Sequence, residues 1–319
     1  MRVDTSLFTL ETTRGDFSVP DGSQFVYRGD SNEARAQIDS GHLSSLQVKP
    51  ENGVAIIDEH EDWFIYAEPV SGTTRVVDLH EPDSIKEFIT TLGQDAYLDI
   101  TGLTHQTWAP LLREAINLKS APTVVYVEPL EYARVDQPTA GRLFNLSDSV
   151  KGIAPLPGFA RITRDSDRIP AFVPLLGFEG PRLSFVMDQT EIDLVNTHPI
   201  MGMPGFRPEY LSYSYKGNHE QLTREYMHSR VHFAKANCPF DAFLALEEID
   251  SLTGKGDIRV APIGTKPHGL GAVLFAISRG DRVEVIYDHP VRSRARTVGE
   301  ARMCIYDLPS FLETPMYAN

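Results

Sequence analysis

Cysteine is nearly missing from this chain of 319 residues: Cys238 and Cys304 are the two thiols, and no Cys-x-x-Cys occurs. So few thiols suit a reducing, cytoplasmic setting in which neither is needed as a bridge. Long apolar runs are missing as well. No stretch approaches the ~18 uninterrupted apolar residues of a membrane span, and Met1-Arg2-Val3-Asp4-Thr5-Ser6-Leu7 has no apolar core of signal-peptide type. Neither a membrane nor secretion is expected. Positive charge is in deficit, with 30 Lys and Arg against 44 Asp and Glu, a formal charge of −14. That excludes broad binding to duplex nucleic acid, whose phosphates reward clustered cations. It leaves room for a small anionic ligand in a locally basic pocket.

What is present is a globular composition. With 41% hydrophobic and 23% charged residues the chain buries a full core, so a wholly disordered reading is excluded. Residues 1–80 read as a β-rich N-terminal portion, a meander or antiparallel extension built from Gln24–Tyr27, Gly53–Ile57, Trp63–Ala67 and Arg75–Leu79. Residues 81–319 read as an α/β region, divided into two pseudo-repeated lobes at 81–165 and 166–319. Its strands are expected at Ala96–Ile100, Thr123–Val127, Ala171–Leu176, Ile192–Asn196, Ile258–Ala261, Val283–Tyr287 and Ala301–Tyr306. Between them stand helices over Asp83–Leu92, Gln106–Leu118 and His268–Ile277, a short one near Pro181–Gln189, and a long helical region over 221–250 broken at Pro239. Residues 129–170 lack periodicity and read as a functional loop or a domain connection. Strands and helices that alternate in this way predict a doubly wound, mainly parallel, Rossmann-like sheet.

Two of these strand–helix–strand units echo one another. Tyr97-Leu98-Asp99-Ile100-Thr101-Gly102 leads through a helix to Tyr126-Val127-Glu128-Pro129, and Val260-Ala261-Pro262-Ile263-Gly264-Thr265 leads to Tyr287-Asp288-His289-Pro290. A looser third unit starts at Leu175-Leu176-Gly177-Phe178-Glu179. A small residue where a chain leaves a strand explains the echo as well as duplication does. Either way the polar turns fall at the carboxyl ends of strands, where α/β sheets bind ligands.

The richest turn is Ile263-Gly264-Thr265-Lys266-Pro267-His268. Gly264 permits a tight strand exit, and Thr265, Lys266 and His268 stand at the start of a helix whose N–H groups attract anions. It is neither a Walker A loop nor a G-x-G-x-x-G, so ATP hydrolysis and dinucleotide binding are not indicated, and no cofactor is expected. Arg292 and Arg294 add cations one strand over. Asp99, costly to bury unpaired, stands with Thr101, Thr104 and His105, and Glu128 ends the neighbouring strand. Glu179 and Arg182 hold the matching place in the third unit, as an internal pair or as contacts to a base or ribose. Asp99, Glu128 and Asp288 are the candidate general acids or bases. His228 and His232, four apart on a helix, have the spacing of a two-histidine metal clamp. Without HExxH or a third ligand, the pair reads as helix surface and no metal is expected. No G-x-S-x-G elbow occurs either.

At Ile263-Gly264-Thr265-Lys266 and Asp99-Ile100-Thr101-Gly102 the chain resembles the CARF and SAVED group of Rossmann-like ligand-sensing domains. The likeness is confined to these two turns, with Ile263 where a second glycine is frequent and Pro267 after the lysine. The resemblance implies recognition of an oligonucleotide second messenger in prokaryotic antiphage defence, with Asp99, Thr101, Gly264, Thr265 and Lys266 at the ligand. The expected function is a cytoplasmic binder of a nucleotide or oligonucleotide, a sensor that passes its signal to a protein effector. The alternatives are a nucleoside- or nucleotide-processing enzyme working through the strand-end carboxylates, and an adaptor subunit of a defence complex.

Overall fold

The computed structural model describes residues 4–31, 33–139, 141–161, 169–294 and 296–318, so the expected lobe boundary at 165/166 and part of the 129–170 segment lie outside the described residues. The chain forms two compact units, Met1–Glu131 with Thr297–Asn319, and Tyr132–Arg296. The first contains β1 (Thr9–Thr12), β2 (Phe25–Arg28), β3 (Gly53–Glu59), β4 (Trp63–Ala67), β5 (Thr74–Asp78), β6 (Tyr97–Asp99) and β7 (Thr123–Val127). The second contains β8 (Ala154–Pro155), β9 (Ala171–Leu175), β10 (Ile200–Gly202), β11 (His232–Ala234), β12 (Ile258–Pro262) and β13 (Val283–Tyr287), after which β14 (Met303–Tyr306) returns to the first. Helices α1 (Pro82–Leu92) and α2 (His105–Asn117) belong to the first unit. Helices α3 (Gly180–Gln189), α4 (Tyr210–Thr223), α5 (Pro239–Leu252) and α6 (Lys266–Arg279) belong to the second.

The protein is mixed α/β, and among the described residues it has two large sheets, both with parallel strands, beside three two-stranded ones. The first is 8-stranded, in the order β1-β14-β7-β6-β2-β3-β4-β5. Four strands, β7, β6, β2 and β3, run parallel. The pairings β1–β14, β14–β7, β3–β4 and β4–β5 are antiparallel, so this sheet is mostly antiparallel and not the mainly parallel one expected. Residues 25–78 share it with β6, β7 and β14. Helix α1 shows why the sequence pattern works. Pro82 starts it at a position where the missing N–H costs nothing, and Ile85, Phe88, Ile89 and Leu92 recur along one buried face.

The second sheet is 6-stranded, in the order β8-β13-β12-β9-β10-β11, parallel throughout except for the edge strand β8. All five residues of β9 are buried, as an apolar run covered on both faces must be. Phe172 and Leu176 pack with Leu183, Val186 and Met187 of α3 and Leu222 of α4. Strand alternation turns Val173 and Leu175 to the opposite face. Helices α5 and α6 pack on one another and against β11, β12 and β13. Pro174 is tolerated inside this central strand for a local reason. Phe172 and Leu176 donate toward Asn196 and Ile200 on the β10 side, so the donor that Pro174 lacks is the one beside His198, where the pairing is thinnest.

Three sequence expectations change here. Residues 192–196 form no strand and end in a turn at Val195-Asn196, and the strand lies at Ile200–Gly202 instead. The helix expected from residue 221 begins at Tyr210 and ends at Thr223. Beyond it, Arg224–Arg230 is a 3₁₀ run interrupted by Glu225 and Tyr226 at φ +43° and +55°, and His232 opens β11. His228 and His232 therefore share no helix face. No cluster of three or more His, Cys, Asp or Glu able to hold a metal occurs among the described residues, and none of their helices is long and apolar enough to cross a membrane.

Helices α3 and α4 touch through their backbones. A Cβ on Gly180 would stand 1.9 Å from the Gly217 carbonyl oxygen, and one on Gly217 would stand 2.2 Å from that of Phe178. Gly180→Ala is accordingly expected to cost about 1–3 kcal/mol of stability by overpacking. Urea denaturation measures it, and an unchanged midpoint would show that the two helices are free to move apart.

Candidate functional site

The structure divides the nominated residues between the two units. In the first, Asp99 ends β6 and accepts a hydrogen bond from the Thr101 N–H at 2.8 Å. The Thr101 hydroxyl accepts from the Val127 N–H at 2.9 Å. Thr104 donates its N–H and its hydroxyl to Glu59 Oε1, at 2.9 and 3.0 Å. His105 is buried with its ring 5.0 Å from that of Trp108. Glu128, also buried, accepts from the Tyr126 hydroxyl at 3.1 Å. These side chains close the strand ends of the first sheet with local bonds.

In the second unit the chain runs from β9 through β10 to β11 on one side and then crosses to β12 on the other. The turns leaving β9 and β12 meet at this reversal. A Cβ on Gly264 would stand 2.7 Å from the Leu176 carbonyl oxygen, and one on Gly177 would stand 2.9 Å from that of Ile263. Glycine is needed here for backbone approach. At the reversal in the first unit the close approach is to a side chain, where a Cβ on Gly102 would stand 2.5 Å from Arg28 Cβ at the end of β2.

The remaining members of the Gly264–His268 turn are committed to the helix start. The Thr265 hydroxyl donates to the Ala236 carbonyl at 2.9 Å and accepts from the His268 N–H at 3.3 Å, a capping bond for α6. Lys266 is 7% exposed and His268 is fully enclosed. The His268 Nε2 donates to the Lys235 carbonyl at 3.1 Å, and Nδ1 meets no partner among the described residues. Burial pulls this imidazole down to about 4, so it is neutral at pH 7.

Beside the β9 exit the side chains open onto a cleft. Arg182, in the first turn of α3, grips Asp288 with Nε and Nη2, both at 2.6 Å, and gives Nη1 to the Ile263 carbonyl at 3.0 Å. The Asp288 side chain is 0% exposed and that of Arg182 is 12% exposed. Burial by itself would lower the Arg182 guanidinium, but the charge and hydrogen bonds of Asp288 outweigh it and hold the group above its ordinary value. Glu179 accepts from the Leu146 and Ser147 N–H groups at 3.3 and 3.0 Å and from the Ser147 hydroxyl at 2.9 Å. It thereby ties down Ser147–Val150, a short strand that pairs antiparallel with Pro290–Arg292. Arg292 stands opposite Ser147 in that pairing, and Arg294 is exposed just beyond.

Within the 129–170 segment, the described residues of 134–150 thus form an ordered arm. Arg134–Thr139 and Arg142–Phe144 form a hairpin, held down where Phe144 stacks on Phe178 at 4.6 Å and meets Tyr213 at 5.4 Å. Arm and helix together frame an open cleft of about 310 Å³ lined by Arg142, Ser147–Val150, Glu179, Pro181, Arg182 and Phe185. Of the nominated residues, Glu179 and Arg182 line it. Arg142 and the Ser147–Val150 strand were missed, because they reach the strand ends through long-range pairing that no local pattern announces. Arg142 makes no ion pair among the described residues and bonds only the Asn145 side chain, at 3.4 Å. The cleft can therefore offer an anion the Arg142 guanidinium and the Ser149 hydroxyl.

No protein-family model matches this chain, and no curated protein or solved structure matches it.

Proposed function

We propose that the second unit is a doubly wound, Rossmann-like module that binds the phosphate of a nucleotide or oligonucleotide in the cleft beside α3. In chain order its parallel strands lie 5-4-1-2-3 across the sheet, the order of dinucleotide-binding folds read from the other edge, and ligands of such sheets sit at the carboxyl ends where the order reverses. The carrying observation is that the cleft opens beside this reversal with the Arg142 guanidinium on its rim, in no ion pair among the described residues. In a protein of net charge −14, a guanidinium with no carboxylate partner among the described residues is a local invitation to an anion.

In the second unit the one candidate acid or base, Asp288, and the neighbouring Glu179 favour binding over turnover. Asp288 gives both oxygens to Arg182, and Glu179 is spent on the arm. The wider role that accompanies this reading is the one the Asp99–Gly102 and Ile263–Lys266 turns imply by resemblance, sensing of an oligonucleotide second messenger in antiphage defence. A ligand drawn between the arm and α3 would shift the population toward a state that engages an effector protein.

Calorimetry with mononucleotides and with linear and cyclic oligonucleotides tests the reading. A member of that panel is expected to bind, and Arg142→Glu is expected to weaken it by about ten- to a hundredfold, the worth of one charge-assisted contact. Absence of binding across the panel, or binding indifferent to Arg142→Glu, overturns it.

A further inference from the structure

Most polar groups on the cleft wall are already spent. Glu179 holds the arm, Arg182 holds Asp288, and the Ser147 hydroxyl donates to Glu179. Asp148 is different. Ser147 pairs with Arg292 and Ser149 with Val291, so Asp148 is the extra residue of a β-bulge and has none opposite it. Such bulges re-aim a side chain and recur beside functional sites. This one leaves Asp148 exposed on the cleft, its Oδ1 accepting from the hydroxyl of the buried Ser293. Among the described residues the carboxylate joins no ion pair, and its Oδ2 accepts no hydrogen bond. Phe185 lines the same cleft. Its neighbours Leu183, Val186 and Met187 enter the core, while Phe185 stays half-buried, one helical turn from the exposed Pro181. Its ring meets no other ring among the described residues.

A carboxylate in the same cleft as the guanidinium weakens the hold on a bare phosphate, so the ligand that fits brings donors as well as an anion. We propose that the cleft takes a guanine nucleotide, with Asp148 reading the base, Phe185 supplying its stacking wall and Arg142 meeting the phosphate. Guanine is the common base whose Watson–Crick edge carries two adjacent donors, N1–H and the N2 amino group, and a carboxylate accepts both in parallel. Oδ2 is open to one of them, and Oδ1 keeps a second lone pair beside the Ser293 bond for the other. Adenine and cytosine would set a ring-nitrogen lone pair against the carboxylate, and uracil would set a carbonyl on each side of its single N–H. Any base face stacks on an aromatic ring whatever its edge, so Phe185 adds affinity and Asp148 adds choice. At about 310 Å³ the cleft is of a size that holds a small-molecule ligand. This inference rests on the nucleotide reading above and names the base within it.

The test is calorimetric titration of the full chain with GMP, AMP and IMP and with the dinucleotides pGpG and pApA. GMP is expected to bind about ten- to a hundredfold more tightly than AMP, the worth of one bidentate base contact, with IMP, which lacks the N2 amino group, between them. That comparison uses the wild-type chain and so does not depend on any variant folding. Asp148→Asn keeps the acceptor for Ser293 and removes the charge; it is expected to bring GMP and AMP to within about threefold of each other. The ratio is the readout, because loss of a negative charge strengthens every phosphate alike. Phe185→Leu is expected to weaken GMP and AMP together by about three- to tenfold and to keep their ratio. Equal binding of guanine and adenine ligands, or a preference that survives Asp148→Asn, overturns the base assignment; if that binding still weakens in Arg142→Glu, the phosphate reading stands without it. Absence of binding by all five ligands overturns the assignment, and absence across cyclic oligonucleotides as well removes the nucleotide reading with it.

Discussion

Asp288→Asn is expected to lower the stability of the second unit by about 3–5 kcal/mol, the penalty for leaving one member of a buried ion pair unmatched. The asparagine keeps the volume but not the charge, so a guanidinium enclosed behind the Ile263 carbonyl loses the carboxylate that holds two of its nitrogens. Circular dichroism in urea measures the loss. Tryptophan fluorescence supplies an internal reference, because Trp63 and Trp108 both belong to the first unit and report on that sheet. The double change Arg182→Met/Asp288→Leu is expected to recover much of the loss, since an apolar pair of similar size avoids the cost of desolvating two charges. A loss below about 1 kcal/mol in Asp288→Asn would place the pair in the class of solvent-screened surface bridges and undo the account of the β13 exit.

Acidification should expose the second large term. His268 takes up a proton at about pH 4 in the folded protein, against an ordinary value of 6.5, because burial penalises the imidazolium. The unfolded chain therefore binds the proton more readily. The neutral imidazole's contribution is complete above pH 6.5 and is lost as the pH falls from there toward 4. The difference of 6.5 − 4 corresponds to about 3 kcal/mol over that window. His198 and His232, both pulled down by burial, with His232 also acting on His198, add to the slope in the same direction. Denaturation at pH 7.5, 6.5, 5.5 and 4.5 is expected to show a steeper decline in the wild type than in His268→Gln, whose amide can still donate to the Lys235 carbonyl. Parallel slopes in the two proteins would show that the imidazole reaches water.

The elements were legible in proportion to how local their causes are. Ala171–Leu175, Ile258–Pro262 and Val283–Tyr287 announce themselves as apolar runs bounded by turns, and Pro239 marks a helix start as it should. The small residue at Gly264 was legible too, and the Leu176 carbonyl pressed against it leaves no room for a Cβ. Glu225 and Tyr226 defeated the helical reading of the histidine pair, because neither residue type advertises a positive φ. The division into two sheets was invisible for a different reason. Whether β7 is followed in space by β13 or by β14 depends on pairing across more than a hundred residues, and a strand's own sequence carries no record of its partner. Arg142 and the arm strand at Ser147–Val150 escaped notice for that same reason, and with them most of the cleft wall.

The position of β14 bears on how the chain is made. It lies between β1 and β7, so the strand at Thr9–Thr12 joins its sheet only through residues near the opposite end of the sequence. On a ribosome, Thr9–Thr12 is made long before Met303 is added, and until then this strand waits without its β14 neighbour. For that interval its unpaired N–H and C=O groups are an open edge, and Glu11, at the middle of that edge and exposed, is the kind of charge that discourages another chain from pairing there first.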